Sequence, residues 1–209
     1  MNINSKGSRM TRKEREFQSR RREIVTAAVR LFAVKGYHNT AMNEIAREAE
    51  FSTGSLYNFF KNKEELYFTV VREQLEELTA KLADESALEG TAFGKIERMV
   101  DTILNYFEGN RDFFRIMVTY RDTFEWSIKG EFSEVIYNLQ LAFIQDIIDV
   151  FKQGIKDEVF KPYAAEELAF LFLSVMSSVI SIYVNSEVDY SLKDRRDVIL
   201  DLFYNGAGK

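Results

Sequence analysis

An all-α fold is what this sequence predicts, on three observations. A chain of 209 residues holds one proline and ten glycines, too few breakers for a turn-rich β architecture. Apolar residues recur at three- and four-residue steps along nearly its whole length, the spacing of helices that bury one face. No stretch sustains the alternation of a strand, and no internal repeat is present. The expected organisation is a basic arm over residues 1–19, a small three-helix domain over 20–66, and a larger helical domain over 67–209, about nine helices in all.

Composition narrows the partners. With no cysteine there is no disulfide framework and no thiolate metal site, which points to a reducing compartment and a cytoplasmic protein. The first 25 residues lack the apolar run of a secretory signal. The net charge of −5 conceals a split: residues 1–63 carry 13 Lys and Arg against 6 Asp and Glu, and the rest carries 15 against 27. A basic front on an acidic body calls for a polyanionic partner, nucleic acid or a membrane surface.

The elements follow in order. Lys6, Arg9, Arg12, Lys13 and Arg15 stand among few apolar residues, so residues 1–19 read as an arm that is disordered or loosely helical. From Arg20 the pattern is helical, with Ile24, Ala27, Ala28, Leu31 and Phe32 on one face and Gly36 as the stop. Thr40 is expected to cap a short helix that turns Met42, Ile45, Ala46 and Ala49 inward. Ser52 caps a third, Thr53 to about Phe60. Asn62 with Glu65 resembles a capping box ahead of a long helix faced by Phe68, Val71, Leu75, Leu78 and Leu82. Further helices are expected at about 91–108, 111–125, 131–157, 163–185 and 192–204, the last opened by Ser191 with Asp194.

Two short helices joined by a tight turn have the spacing of a helix-turn-helix, with Ala46 where they cross. Such a motif lays its second helix in the DNA major groove, first turn nearest the bases. That gives the Thr53-Gly54-Ser55 trio a use: small residues let the backbone approach a duplex, and their amides and hydroxyls suit phosphate or base edges. Tyr57 suits a phosphate oxygen, Asn58 a phosphate or an adenine edge, and Lys63 a phosphate. Thr40 and Ala41, at the start of the first short helix, complete the candidate DNA-binding set. Phe60 and Leu56 read as core, while Phe59 is either core or contact. His38, the single histidine, reads as an exposed loop residue and offers no metal site; Tyr37 reads as a cover on the three-helix core.

The run TAMNEIAREAEFSTGSLYNFFKNKEEL, residues 40–66, closely resembles the N-terminal DNA-binding domain of the TetR family of transcriptional regulators. The pattern is Thr, then Ile-Ala, then Ser-x-Gly-x-Leu-Tyr-x-x-Phe-x-x-Lys-x-x-Leu, within a resemblance covering roughly residues 20–67. The resemblance implies an all-helical dimer that binds a palindromic operator, usually as a repressor, and releases it when a small molecule enters the C-terminal domain. Three positions depart from the family pattern. Glu50 stands where glycine is common, implying either a mildly strained residue or a slightly different turn. Thr53 replaces a residue that is often basic, and Phe59 replaces a common His or Tyr, which bears on operator sequence.

A single short recognition helix covers few base pairs, so two copies need a fixed spacing and the chain needs a dimer interface. The candidates are Ser174, Ser178 and Ser181 on the 163–185 helix and Ile199, Leu202 and Phe203 on the last. The aromatic middle, with Phe107, Phe114, Met117, Tyr120, Trp126 and Tyr137, reads either as a pocket for a lipophilic or aromatic effector or as bulky core. No nucleophile–base pair, phosphate-cradling glycine loop or metal-ligand cluster is present, so neither an enzyme nor a cofactor is expected. One alternative rests on Leu168 to Ser186, nineteen residues without a charge: a membrane-associated or protein-binding helical adaptor without DNA binding.

Overall fold

The computed structural model describes residues 10–123, 131–186, 190–206 and 208, and for 118–123 and 131–133 the backbone alone. Among them the chain is helical, with one isolated bridge between Phe160 and Gly208. It divides into two compact units, Met1–Val70 and Val71–Lys209.

In the first unit α1 spans Arg12–Lys35, starting eight residues before the expected position. The cause is a capping box: the Glu14 amide donates to Thr11 Oγ1 at 3.2 Å, and the Thr11 amide donates to the Glu14 carboxylate at 2.7 Å. The Thr11 amide first, and then the Thr11 hydroxyl, hold the Glu14 carboxyl below its ordinary pKa. Residues 12–19 are therefore helix. The other end stops at Gly36, whose φ of 75° favours glycine.

α2 spans Met42–Glu48, and its N-cap is Ala41. This corrects the expectation that Thr40 caps it. Thr40 is 2% exposed, and its hydroxyl donates to the carbonyls of Gly36 (2.8 Å) and Leu31 (3.3 Å). Glu44 caps in its place, accepting the Ala41 amide at 3.0 Å and Lys35 Nζ at 2.6 Å. α3 is Thr53–Tyr57, shorter than expected. The amides of Phe59 and Phe60 both turn back onto the Leu56 carbonyl. α4 runs Lys63–Ala87, its residues from Val71 onward belonging to the second unit, and its start differs from the expected box in one bond. Asn62 accepts the Glu65 amide, but Glu65 accepts from Lys61 (2.6 Å). Its expected inner face, Phe68 to Leu82, is buried.

The second unit adds α5 (Ala92–Gly109), α6 (Arg111–Thr123), α7 (Glu131–Lys156), α8 (Ala165–Asn185), a 3-10 turn (Leu192–Arg195) and α9 (Arg196–Gly206). Phe151 centres a ring cluster, 5.2 Å from Phe160, 6.2 Å from Phe172 and 6.1 Å from Phe203. Arg111 and Arg115 each donate at 3.2 Å to the last-turn carbonyls of α8, Tyr183 and Val184, where cations suit the helix dipole. Glu108 accepts from the Ser191 hydroxyl and the Leu192 amide, tying α5 to the 3-10 turn. The Ser191 bond is the main reason its carboxyl sits below the ordinary range.

Two of the candidate dimer residues face inward. Ile199 is fully buried and Phe203 is 6% exposed, its ring 5.4 Å from Phe172. Leu202 is open, Ser174 and Ser178 are exposed, and Ser181 is half-buried. α8 is long and apolar enough to cross a membrane by length and composition, with mean hydropathy 1.9. Leu168, Phe172, Met176 and Ile180 of that helix are buried within the chain.

Gly154 on α7 sits where a Cβ would strike the Phe160 ring and come within 2.8 Å of Ala92. Gly154→Ala is expected to lower unfolding stability by about 1–3 kcal/mol through overpacking. Chemical denaturation followed by circular dichroism measures this, and an unshifted midpoint would mean the site yields freely.

Candidate nucleic-acid interface

The turn between α2 and α3 is set by the backbone. The Phe51 amide donates to the Ala46 carbonyl (2.8 Å) and the Glu50 amide to Arg47 (3.1 Å), the paired bonds of a Schellman motif. That motif needs a left-handed residue, and Glu50 supplies it at φ 59°. Of the two alternatives expected at Glu50, strain is thus the one met, at a cost of about 1–2 kcal/mol for a residue with a Cβ. Ala46, 1% exposed, lies beneath the crossing, and Ile45, Leu56 and Phe60 close the core around it.

α3 is capped by Ser52, whose Oγ accepts the Ser55 amide at 3.0 Å and lies 2.8 Å from Ser55 Oγ. The Ser55 amide is therefore engaged within the chain rather than free. Thr53, Gly54, Tyr57 and Asn58 are exposed, Tyr57 by 49%. Among the described residues nothing requires glycine at 54: a Cβ there would have Ser52 Oγ, at 4.0 Å, as its nearest neighbour. Ala41 is exposed as well, whereas Thr40 has its side chain inside.

Lys63 also turns inward. Its Nζ donates to the carbonyls of Tyr37 (2.7 Å), Thr40 (2.9 Å) and His38 (3.3 Å) and lies 4.4 Å from the Tyr37 ring centre. The ammonium has spent its three donors on the α1–α2 loop, pinning that loop to the start of α4. Tyr37 packs against Phe32 and Tyr67, as expected of a cover. Burial first, then the Glu64 charge, raises its phenol pKa.

Sequence reasoning missed one contact. Phe17 on α1 stacks on Phe59, with ring centres 4.7 Å apart and planes 27° off parallel, and Phe59 meets Phe51 edge-on at 6.2 Å. The available signals were Thr11 with Glu14, a capping pattern, and Phe17 seven residues before Ile24, in line with the buried stripe of α1 although itself 44% exposed.

The candidate effector residues divide differently. Phe107 and Phe114 meet edge-on at 5.3 Å in a buried cluster with Tyr106 and Phe113. Met117 is half-buried and Tyr137 is 49% exposed on α7. The Tyr120 side chain and Trp126 lie outside the described residues. Among the described residues no group of His, Cys, Asp or Glu is placed to hold a metal ion.

Residues 24–70 match the family described as "Bacterial regulatory proteins, tetR family". The HTH-type transcriptional repressor KstR2 of Rhodococcus jostii is 29% identical over 154 residues, 74% of this chain and 74% of that protein. The solved structure of the ketosteroid transcriptional regulator KstR2 of Mycobacterium tuberculosis aligns at TM-score 0.80 and 21% identity, covering 91% of this chain and 95% of that one. The regulator FadR of Bacillus subtilis, solved in complex with stearoyl-CoA, aligns at TM-score 0.70 and 18% identity, covering 87% of this chain and 96% of its own. At such identities the two structures establish a shared all-helical fold.

Lys63→Met keeps much of the side-chain volume and strands three carbonyls. It is expected to cost about 1–3 kcal/mol of unfolding stability, read from the denaturation midpoint. A midpoint equal to wild type would show that water replaces the ammonium without penalty.

Proposed function

We propose, from the premise that this chain belongs to the TetR family of transcriptional regulators, that it is a repressor acting as a homodimer on a palindromic operator. The observation that carries the reading is the tip of α3. Thr53, Gly54, Tyr57 and Asn58 form an exposed polar edge, and no packing among the described residues calls for the glycine among them. A duplex approaching that edge supplies the use, since a missing Cβ lets backbone and phosphate or base edge come close. Ala41 and Ser55 border the same edge. Thr40 and Lys63 act by holding the α1–α2 loop in place, a change from the direct contacts that their residue types suggest.

Pairing of two copies is supported by a bare apolar face. On α8 Phe170, Leu171 and Ile182 are 66%, 60% and 64% exposed, and on α9 Val198 and Leu202 are 51% and 56% exposed. Ser174 and Ser178 lie on the same side of α8, where small residues admit a second helix closely. Covering these groups in a two-fold bundle removes them from water at about 25 cal/mol per Å2 and sets two α3 tips at one spacing.

The effector is a small lipophilic molecule that enters the aromatic region around Phe107 and Phe114 and releases operator by altering the spacing of the two tips. The stearoyl-CoA bound by FadR and the ketosteroid link of KstR2 favour such a class. The protein works in the cytoplasm. The membrane-adaptor alternative rests on the length and hydropathy of α8, and recovery of the full protein in the membrane pellet would favour it.

Fluorescence anisotropy with DNA from upstream of its own gene tests the assignment. Tyr57→Ala is expected to weaken binding at least about tenfold, the effect of roughly 1.4 kcal/mol, while light scattering still finds a dimer. Leu171→Glu with Leu202→Glu is expected to give a folded monomer with the same loss. Unchanged affinity in the first variant overturns the α3 assignment, and an intact dimer in the second overturns the interface.

A further inference from the structure

We infer that the first turns of α1 are a second duplex-contacting element, seated on the end of α3 by the Phe17–Phe59 stack and presenting Lys13 and Arg20 to phosphates beside the groove. The inference rests on the DNA-binding reading above. Residues 6–22 hold eight Lys and Arg against two Glu, the densest positive charge in the chain. From Arg12 onward that charge stands on capped helix, so its positions are fixed by helical geometry.

The stack gives the geometry its direction. Phe59 follows Tyr57 and Asn58 directly, so the Phe17 ring at 4.7 Å brings one turn of α1 to the end of α3 where those exposed residues lie. Lys13 stands four residues before Phe17 and Arg20 three after it, within about 60° of it around the helix. Both are exposed. Arg20 pairs with Glu16 at 2.9 Å, with both side chains more than half exposed. Such a pair contributes little, and a phosphate can replace the carboxylate. Arg21 lies 5.3 Å from the Phe60 ring centre and braces the same stretch of α1.

A purely structural role for Phe17 predicts something different. Then the stack would add stability, and the flanking cations would be solvated with no bearing on DNA. Salt dependence separates the two, because each neutralised phosphate adds about 0.9 to the slope of log affinity against log salt, whatever the base sequence. Phe17 is a positioning residue in this scheme, and Lys13 and Arg20 are the contacts.

The full-length protein is titrated by fluorescence anisotropy over a range of NaCl concentrations. One duplex comes from upstream of its own gene and the other is a random sequence of equal length. Lys13→Gln with Arg20→Gln is expected to make the slope shallower by about 1.8 per subunit on both duplexes. Phe17→Ala, which keeps every charge, is expected to make it shallower too, and Phe17→Tyr to restore it. A double-glutamine variant with the wild-type slope overturns this inference alone, as does a Phe17→Ala protein that is less stable but unchanged in slope. A wild type that binds neither duplex overturns the DNA-binding reading and this inference together.

Discussion

A helix of five residues cannot hold itself together in water, because nucleating a helical turn costs more than one turn of hydrogen bonds returns. α3, Thr53–Tyr57, is such a helix, and the first unit is organised around that limit. Its start is fixed by Ser52, its entry angle by the Ala46–Phe51 backbone bond, and its inner side by Leu56 and Phe60. The loop leading into α2 is clamped by Lys63, which spends a full charge on carbonyl oxygens. The exposed face can then be small and polar, because none of its residues is needed to keep the helix in place.

The second unit solves the opposite problem. Its long helices bury a large aromatic core around Phe151, Phe172 and Phe203 and still leave apolar side chains of α8 and α9 facing out. In a single soluble chain such a patch is a liability unless something covers it. On the proposed reading the cover is a second copy, so the patch specifies the spacing between two recognition surfaces. Local polarity then divides the labour, with an open polar tip for the duplex and an open apolar face for the partner.

Much of this was legible in the sequence, and the failures have physical causes. The buried faces of α1 and α4 were plain, because their apolar residues recur at strict helical steps. At Glu50 the resemblance supplies the signal, a glycine commonly standing there, and the left-handed φ shows which of its two implications, strain or a different turn, holds. At the start of α1 composition and capping point different ways: an arginine-rich stretch looks like a disordered or loosely helical arm, yet Thr11 and Glu14 close a helix end. The inward turn of Lys63 had no local signal, since its partners stand more than twenty residues earlier. α9 misled for another reason. It carries apolar residues on two sides, and periodicity alone does not say which side, Val198 with Leu202 or Ile199 with Phe203, meets the core.

The empty space around Gly54 bears on how this chain would respond to engineering. A residue that no neighbour constrains and that weakens its own helix by up to about 1 kcal/mol is a natural target for any programme that rewards heat resistance. Consensus-blind stabilisation would fill it with alanine early and register a gain. On the proposed reading the same exchange puts a methyl group between protein and duplex. Libraries built for robustness would therefore enrich sturdy proteins that have lost their target, unless occupancy of DNA is selected alongside.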